Sequence, residues 1–386
     1  MKILVLGSGL MGPAAVFNAL SDPEVTQVTM ADMSAAQLDV ARTKLANKSG
    51  FEKLITTQLD LSDMAAASQL MAQHDAIVAA LPSTVIATGL RAALVARRPW
   101  VDLTWPPQDL LPDLRRQIEQ AGILVIPGCG VEPGLTEIWA RHLAEKLDEV
   151  DTLHIQCGGI PAVPSGPLGY KIVFGGRRLP LRPYPATVVE NGKLTTVPRY
   201  SGVESVSFAG IGECEAWHEG FMPWLLELSA LKNLKTGTQK TVRWPGYAAK
   251  VTVLNDMGLL SDQLIDVDGV KVAPKQVLDT LLYPHVQMQE GDRDITTFRV
   301  TVRGEKAGQR AGYQAEMVDH YDEALGFTSM ARVTAFTGAI VARMVARGEL
   351  QGAGLITPEK LVSGPHFERL IRELAKENVQ FTVTEL

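Results

Sequence analysis

An α/β chain, built as a doubly wound parallel sheet joined to a second α+β domain with a mixed sheet, is what this sequence predicts. Three observations predict it: an apolar run that opens into spaced glycines, an alternation of strand-like and helix-like stretches up to residue 131, and a change of texture beyond about Val150. Lys2 to Leu6 has the length and Ile/Val/Leu content of a buried parallel strand. Gly7, Gly9 and Gly12 follow at GxGxxG spacing, with Leu10 and Met11 inside the loop and an apolar helix-like run beyond it. This is a dinucleotide-binding fingerprint: the first glycine permits the turn, the second lets backbone approach a pyrophosphate, and the third lets helix pack on strand. An ordinary tight turn is the alternative for these glycines.

The second strand-like stretch, QVTMAD, ends in Asp32, twenty residues after Gly12 and at the usual distance for a ribose-gripping carboxylate. A carboxylate there repels a 2′-phosphate, and no Arg or Lys follows until Arg42, so NAD is expected over NADP. ITTQLDL, DAIVAAL, WVDL and ILVIPG continue the strands, and SAAQLDVARTKLA, SDMAAASQLMAQ and LLPDLRRQIEQA the helices. That order is βαβ winding of the Rossmann type, in which ligands sit outside the carboxyl ends of the strands. Gly7 to Gly12, Asp32, Leu81, Pro82, Ser83 and Asp102 all fall at such ends. Asp102 either meets substrate or fixes its own turn.

The helix LTEIWARHLAEKLDEV places Leu135, Ile138, Trp139, His142, Leu143 and Leu147 on one apolar stripe, so His142 reads as core. β-like segments broken by Gly and Pro then dominate, with a hairpin expected from ITTFRVTVR over GEKAGQ to AGYQAEMVD. SMARVTAFTGAIVARMVARGEL is a long buried helix with Gly348 at its C-cap and Arg343 and Arg347 near its negative end. The expected division is a dinucleotide-binding domain over 1–131, with 328–386 packing back on it, and a substrate and dimerisation domain over 132–327.

A chain of 386 residues suits two domains, and 46% hydrophobic with 21% charged residues is an enzyme-like globular composition. The longest apolar candidate, AIVAALPSTVIATGL, is broken by Pro82 and stops at Arg91, short of the ~20 residues that cross a bilayer. A net charge of −6 leaves no basic footprint for nucleic acid. Three cysteines without a CxxC argue against a disulfide framework or a zinc site. The expectation is a cytoplasmic protein with a small-molecule substrate, no metal, and no nucleic-acid or membrane partner.

Three stretches are too unusual in composition to be scaffold alone. PGCGVEPG (127–134) offers backbone donors and Glu132 between a strand and a helix. CGGIPAVPSGPLGYK (157–171) is rigid turn chemistry ending in Tyr170 and Lys171. CEAWHEGFMPW (214–224) gathers two Trp, a His and two Glu around a bend. The order of GSGLMG, Asp32, PGCGVEPG, CGGIP, PLGYK, VRWPGYAAKVTVLNDMGLL and SMARVTAFTGAIVARMVARG resembles the saccharopine reductase family over nearly the whole chain. The EAWH stretch is similar to that family's lysine 6-dehydrogenase branch, from which EGFMPWLLE departs. Phe221, Met222 and Trp224 in that departure point to a more apolar pocket wall.

The resemblance implies a homodimer and redox chemistry at an amine carbon of a lysine-derived substrate. By matching motif it places Glu132, Cys157, Leu168, Gly169, Tyr170, Lys171 and Arg243 around that substrate. The reaction expected first is NAD-dependent oxidation of the ε-amine of L-lysine to the 6-semialdehyde, which closes to a cyclic imine. A hydride leaves only a carbon beside a neutral amine, and lysine's amine titrates near ~10.4, so a base is required. Glu132 binds the ammonium, and either it or His218 takes the proton. Arg243 holds the α-carboxylate, with Lys171 or Arg199 as second choice.

Each assignment has a structural alternative. Glu132 can cap the following helix, Cys157 can be a small packing residue, and His218 can be a hydrogen-bonded structural histidine. Lys171 and Arg243 can be strand-end surface charges, and Trp139, Trp224 and Trp244 packing residues. The second functional reading is an opine-type enzyme that makes or splits a secondary amine, as in L-glutamate-forming saccharopine dehydrogenases. It needs a second carboxylate clamp, and residues 217–227 contain no Arg. A nucleotide-sensing scaffold without catalysis is the third.

Overall fold

The computed structural model describes residues 1–173 and 176–386. The chain divides into two compact units: residues 1–138, 323–327 and 331–379 in the first, and 139–322, 328–330 and 380–386 in the second. Both architectures, a parallel wound sheet and a mixed sheet, are those expected from the sequence.

In the first unit, β1 (Lys2–Leu6), β2 (Gln27–Asp32), β3 (Leu54–Gln58), β4 (Ala76–Ala79), β5 (Trp100–Asp102) and β6 (Leu124–Ile126) alternate with α1 (Gly12–Leu20), α2 (Ala35–Leu45), α3 (Met64–Met71), α4 (Ser83–Ala96) and α5 (Leu111–Ala121). With β17 (Gly354–Leu355) the strands pair in parallel in the order β17-β6-β5-β4-β1-β2-β3. The winding reverses at β1, which lies between β2 and β4. Strands covered on both faces must be apolar throughout, and Ile3, Leu4, Val5, Ile77 and Val78 are fully buried.

The helix α9 (Ser329–Ala346) is buried along nearly its whole length, with Val333, Phe336, Ile340 and Met344 fully enclosed. Its basic end is paired rather than left to the helix dipole. Arg343 reaches Asp22 at 2.5 Å and Glu373 at 2.7 Å, and Arg347 pairs with Asp22 and Glu24. Although burial opposes it, these arginines hold the Asp22 carboxyl down at about 2. The short α10 (Pro358–Leu361) and α11 (Pro365–Lys376) follow.

After α6 (Leu135–Ala144), the second unit is built on a nine-stranded mixed sheet. Its main path runs β10 (Glu204–Phe208), β11 (Gly212–His218), β12 (Thr236–Arg243), β7 (Glu149–Pro161), β15 (Asp294–Lys306), β16 (Gln309–His320) and β18 (Thr382–Glu385). β8 (Ala186–Glu190) and β9 (Lys193–Val197) attach beside β12. Helices α7 (Tyr247–Asp256) and α8 (Pro274–Val286) pack on it, and β13 (Ile265–Val267) and β14 (Val270–Val272) form a separate ribbon.

Two details differ from the expected arrangement. The β15–β16 loop is not GEKAGQ but only Ala307 and Gly308, both at positive φ, with Lys306 paired to Gln309. A two-residue turn of that hand matches the strand twist, so pairing runs on through charged residues. The return segment stops at Val379, and β18 beyond it is an edge strand on β16.

Candidate functional site

The carboxyl ends of β1, β2 and β4 carry the dinucleotide fingerprint. Gly7 sits at φ +95°, and a Cβ there would come within 2.4 Å of the Ala80 carbonyl; one at Gly12 would come within 1.9 Å of the Gly7 carbonyl. Neither position accepts a side chain, so the loop turns tightly against both β4 and α1. A Cβ at Gly9 meets nothing within 4 Å, leaving an open cradle before α1, whose first turn has no side-chain cap. Leu10 is exposed and Met11 is the N-cap residue. Leu81 lies beside Gly7, and exposed Pro82 and Ser83 open α4. Asp32, half-buried at the end of β2, accepts from the Ser8 N–H at 2.7 Å, the Ser8 hydroxyl at 2.9 Å and the Ser34 N–H at 2.9 Å. An open glycine, uncapped helix N–H groups and an anchored acid fit a nicotinamide dinucleotide.

Asp102 does not face outward. It is fully buried, with Oδ1 accepting from the Thr104 N–H and hydroxyl and Oδ2 from the Trp100 indole at 3.1 Å. It therefore fixes its turn, and the catalytic role considered for it is set aside. Burial raises its carboxyl to about 7 against those hydrogen bonds. A folded pKa above the unfolded ~3.9 means protonation stabilises the fold, fully below about 3.9 and no longer above about 7. The melting temperature should fall between pH 5 and 8, and Asp102→Asn should flatten part of that fall; Asp294 and Glu359, raised to about 6 and about 7 by burial, retain the rest. An unchanged pH slope in the variant contradicts this assignment.

In PGCGVEPG the helix-capping task falls to a residue not considered for it. Glu137, in the first turn of α6, turns back to accept from the Gly134 N–H at 2.5 Å and the Thr136 hydroxyl at 2.8 Å. Glu132 is half-buried, two residues before Gly134.

The second unit gathers aromatic rings around one guanidinium. Arg243 ends β12, buried, with its guanidinium 4.8 Å from the Tyr170 ring centre and 5.7 Å from that of Tyr247. Trp217 stacks on Tyr247 at 6.1 Å, and Tyr200 packs on Trp217 at 4.7 Å. Arg243 Nη1 donates to the Val242 carbonyl at 2.7 Å, and its Nε has no hydrogen-bond partner. Among the described residues no carboxylate pairs with it, in contrast to Arg343 with its two. The buried Tyr170 hydroxyl and Trp217 Nε1 also lack hydrogen-bond partners of normal geometry. Burial pushes the phenols of Tyr170 and Tyr247 upward while the charge of Arg243 pulls them back, so both stay protonated donors. Leu168 lies in the apolar cluster beneath them, and Gly169, at φ +61°, turns the chain into Tyr170.

The other carboxylate-binding candidates are already engaged. Lys171 pairs with Asp292 at 3.0 Å and donates to the Gln287 carbonyl at 3.1 Å. Arg199 pairs with Glu219 at 2.5 Å. Cys157 is buried mid-sheet between Thr241 and Phe298.

His218 does not join the cluster. Register pairs Trp217 with Thr241 and Glu215 with Arg243 on one face of the sheet, and His218 with Lys240 on the other. Its ring lies against Gly202, where an added Cβ would meet Nε2 at 2.1 Å, and burial together with Lys240 lowers its pKa. Within EGFMPW, Phe221 lies away from the cluster. Phe221 packs on Gly237, six residues and about 20 Å along β12 from Arg243. Tyr200, Trp217 and Tyr247 join the site beyond the residues the sequence motifs point to, although Tyr247 lies within VRWPGY and Trp217 within EAWH.

Among the described residues, no group of three or more His, Cys, Asp or Glu side chains is placed to hold a metal, and no helix is long and apolar enough to cross a membrane.

Residues 3–126 match the saccharopine dehydrogenase NADP binding domain, and residues 130–379 the saccharopine dehydrogenase C-terminal domain. The NADP(+)-dependent, L-glutamate-forming saccharopine dehydrogenase of Pyricularia oryzae is 27% identical over 68% of this chain; the match spans 58% of that enzyme's length. Carboxynorspermidine synthase of Vibrio cholerae is 24% identical over 96% of this chain and 94% of its own. The structure of apo saccharopine dehydrogenase (L-Glu forming) from Saccharomyces cerevisiae superposes with a TM-score of 0.80 at 20% identity, covering 100% of this chain and 99% of that one, and establishes the shared fold.

Proposed function

This chain belongs to the saccharopine dehydrogenase family, and from that premise we propose that it oxidises a secondary amine carrying an amino-acid carboxylate, or runs that reaction in reverse. It is an oxidoreductase with a nicotinamide cofactor. The observation that carries the proposal is Arg243, a buried guanidinium left without a carboxylate between two phenols. Such a charge costs stability unless a ligand supplies its counterion. The Arg243 fork and the Tyr170 hydroxyl bind the substrate carboxylate and orient the amine carbon. The nicotinamide, when bound, accepts the hydride. Glu132 is the proposed base that keeps the amine neutral, and water then splits the resulting imine into an amine and a carbonyl compound.

The relatives favour a secondary amine over free lysine, since their names include saccharopine dehydrogenase and carboxynorspermidine synthase. The deciding assay is reduction of NAD or NADP on L-saccharopine against L-lysine. Turnover on saccharopine supports the proposal; turnover on lysine alone with release of ammonia replaces it with the deaminating reaction.

For the cofactor we propose NAD. The relatives' names and the family description carry NADP, but in this chain Asp32 stands at the end of β2. The nearest following cation, Arg42, is drawn over the Phe51 ring at 5.1 Å. Asp32→Ser should raise KM for NAD by roughly ten- to a hundredfold, from about 1.5–3 kcal/mol of lost charged hydrogen bonding, and narrow the gap to NADP. A parent enzyme that prefers NADP overturns this choice.

A further inference from the structure

Among the described residues Arg243 has no paired carboxylate, although a glutamate stands directly opposite it. Sheet register pairs Glu215 of β11 with Arg243 of β12, antiparallel neighbours whose Cβ atoms lie about 5 Å apart. A glutamate so placed would by default pair with the guanidinium. Its carboxylate is instead taken up by the first turn of α7, where Oε2 accepts from the Gly246 N–H at 2.7 Å and Oε1 from the Ala248 N–H at 2.6 Å. The N-cap residue of α7 is Gly246, at φ +91°, which has no side chain to bond the free N–H groups of that turn. A strand of the sheet therefore supplies the cap that the helix lacks. Glu215 is buried, so little water competes for these bonds.

The residue between those two N–H groups is Tyr247. Held on both flanks, its ring lies 5.7 Å from the Arg243 guanidinium and stacks on Trp217, 6.1 Å away and 6° from parallel. Trp217 is two residues after Glu215 on β11 and so on the same sheet face. One carboxylate thus fixes an aromatic wall of the site and is itself kept off the guanidinium. We propose that Glu215 is a positioning residue: by bonding α7 rather than Arg243, it holds Tyr247 in place and leaves the fork vacant for the substrate carboxylate. This rests on the reading of Arg243 as the carboxylate site. Side-chain length decides which partner is reached. Glu215→Asp shortens the reach by one methylene, about 1.5 Å, which takes both N–H groups beyond hydrogen-bond range and leaves the carboxylate beside Arg243.

The test is a double-mutant cycle on the full chain, read by thermal unfolding without substrate. In the parent background Arg243→Met breaks no ion pair, and the melting temperature should hold or rise. In the Glu215→Asp background the same change should lower it by several degrees, because it breaks a pair that the shorter side chain has formed. The same sign in both backgrounds overturns the proposal. Kinetics on L-saccharopine give the second readout. Glu215→Asp, with the fork occupied from within, should raise KM about tenfold or more. Glu215→Gln keeps the parent's reach and offers Arg243 no charge, so its KM should rise less than about threefold, with KM for NAD unchanged in both. A glutamate that is only structural lowers the melting temperature and leaves both KM values alone. An unchanged KM in Arg243→Met sinks the carboxylate site itself; a raised KM there with none in Glu215→Asp sinks only the role of Glu215.

Discussion

Arg243→Met should lower kcat/KM on an amino-acid substrate by about a hundredfold or more while leaving the melting temperature equal to or above that of the parent. Truncating one member of a desolvated charge pair costs about 2–5 kcal/mol of binding, which sets the activity loss. The stability prediction has the opposite sign because the pair does not exist without ligand. The free protein holds Arg243 at 7% exposure, with Nε unpartnered and the Val242 carbonyl on Nη1. A methionine of similar length removes that desolvation cost and keeps the packing under Tyr170 and Tyr247. Thermal unfolding and steady-state kinetics on one preparation decide it. A variant that melts several degrees lower with its activity retained makes Arg243 a packing residue.

Glu132→Gln and Glu137→Ala should separate chemistry from scaffold within one loop. Positioned general bases contribute about 10²–10⁴ in rate, so Glu132→Gln is expected to lose that much turnover with NAD affinity and melting temperature unchanged. Glu137→Ala leaves the buried Gly134 N–H without its acceptor, a cost of about 1–3 kcal/mol. It should melt several degrees lower and, where folded, retain most of its turnover. Full activity in Glu132→Gln removes it from the mechanism, and a stable Glu137→Ala removes the cap.

Local features were legible in advance wherever the chain contacts itself over short range. The strand, the three glycines and Asp32 need only a turn of fixed geometry and the period of a βαβ unit, and the structure places them together. The length of the β15–β16 strands was less legible, because the twist preference of a two-residue turn outweighed the polarity of GEKAGQ.

Tertiary structure alone decided which charges are engaged. Lys171, Arg199 and Arg243 are equivalent as residue types, and their partners lie 20 or more residues away: Asp292 for Lys171 and Glu219 for Arg199. Arg243 receives none, and that absence follows from how the sheet is threaded. Sheet register likewise decided that His218, adjacent to Trp217 in sequence, faces away from it. A period of two sends neighbours to opposite faces, and composition does not reveal which face carries the chemistry. The sequence by itself determined the two architectures, the nucleotide loop and the family. Long-range pairing determined which arginine remains to meet a substrate, because neutralising a buried charge depends on what the fold brings within a few ångströms of it.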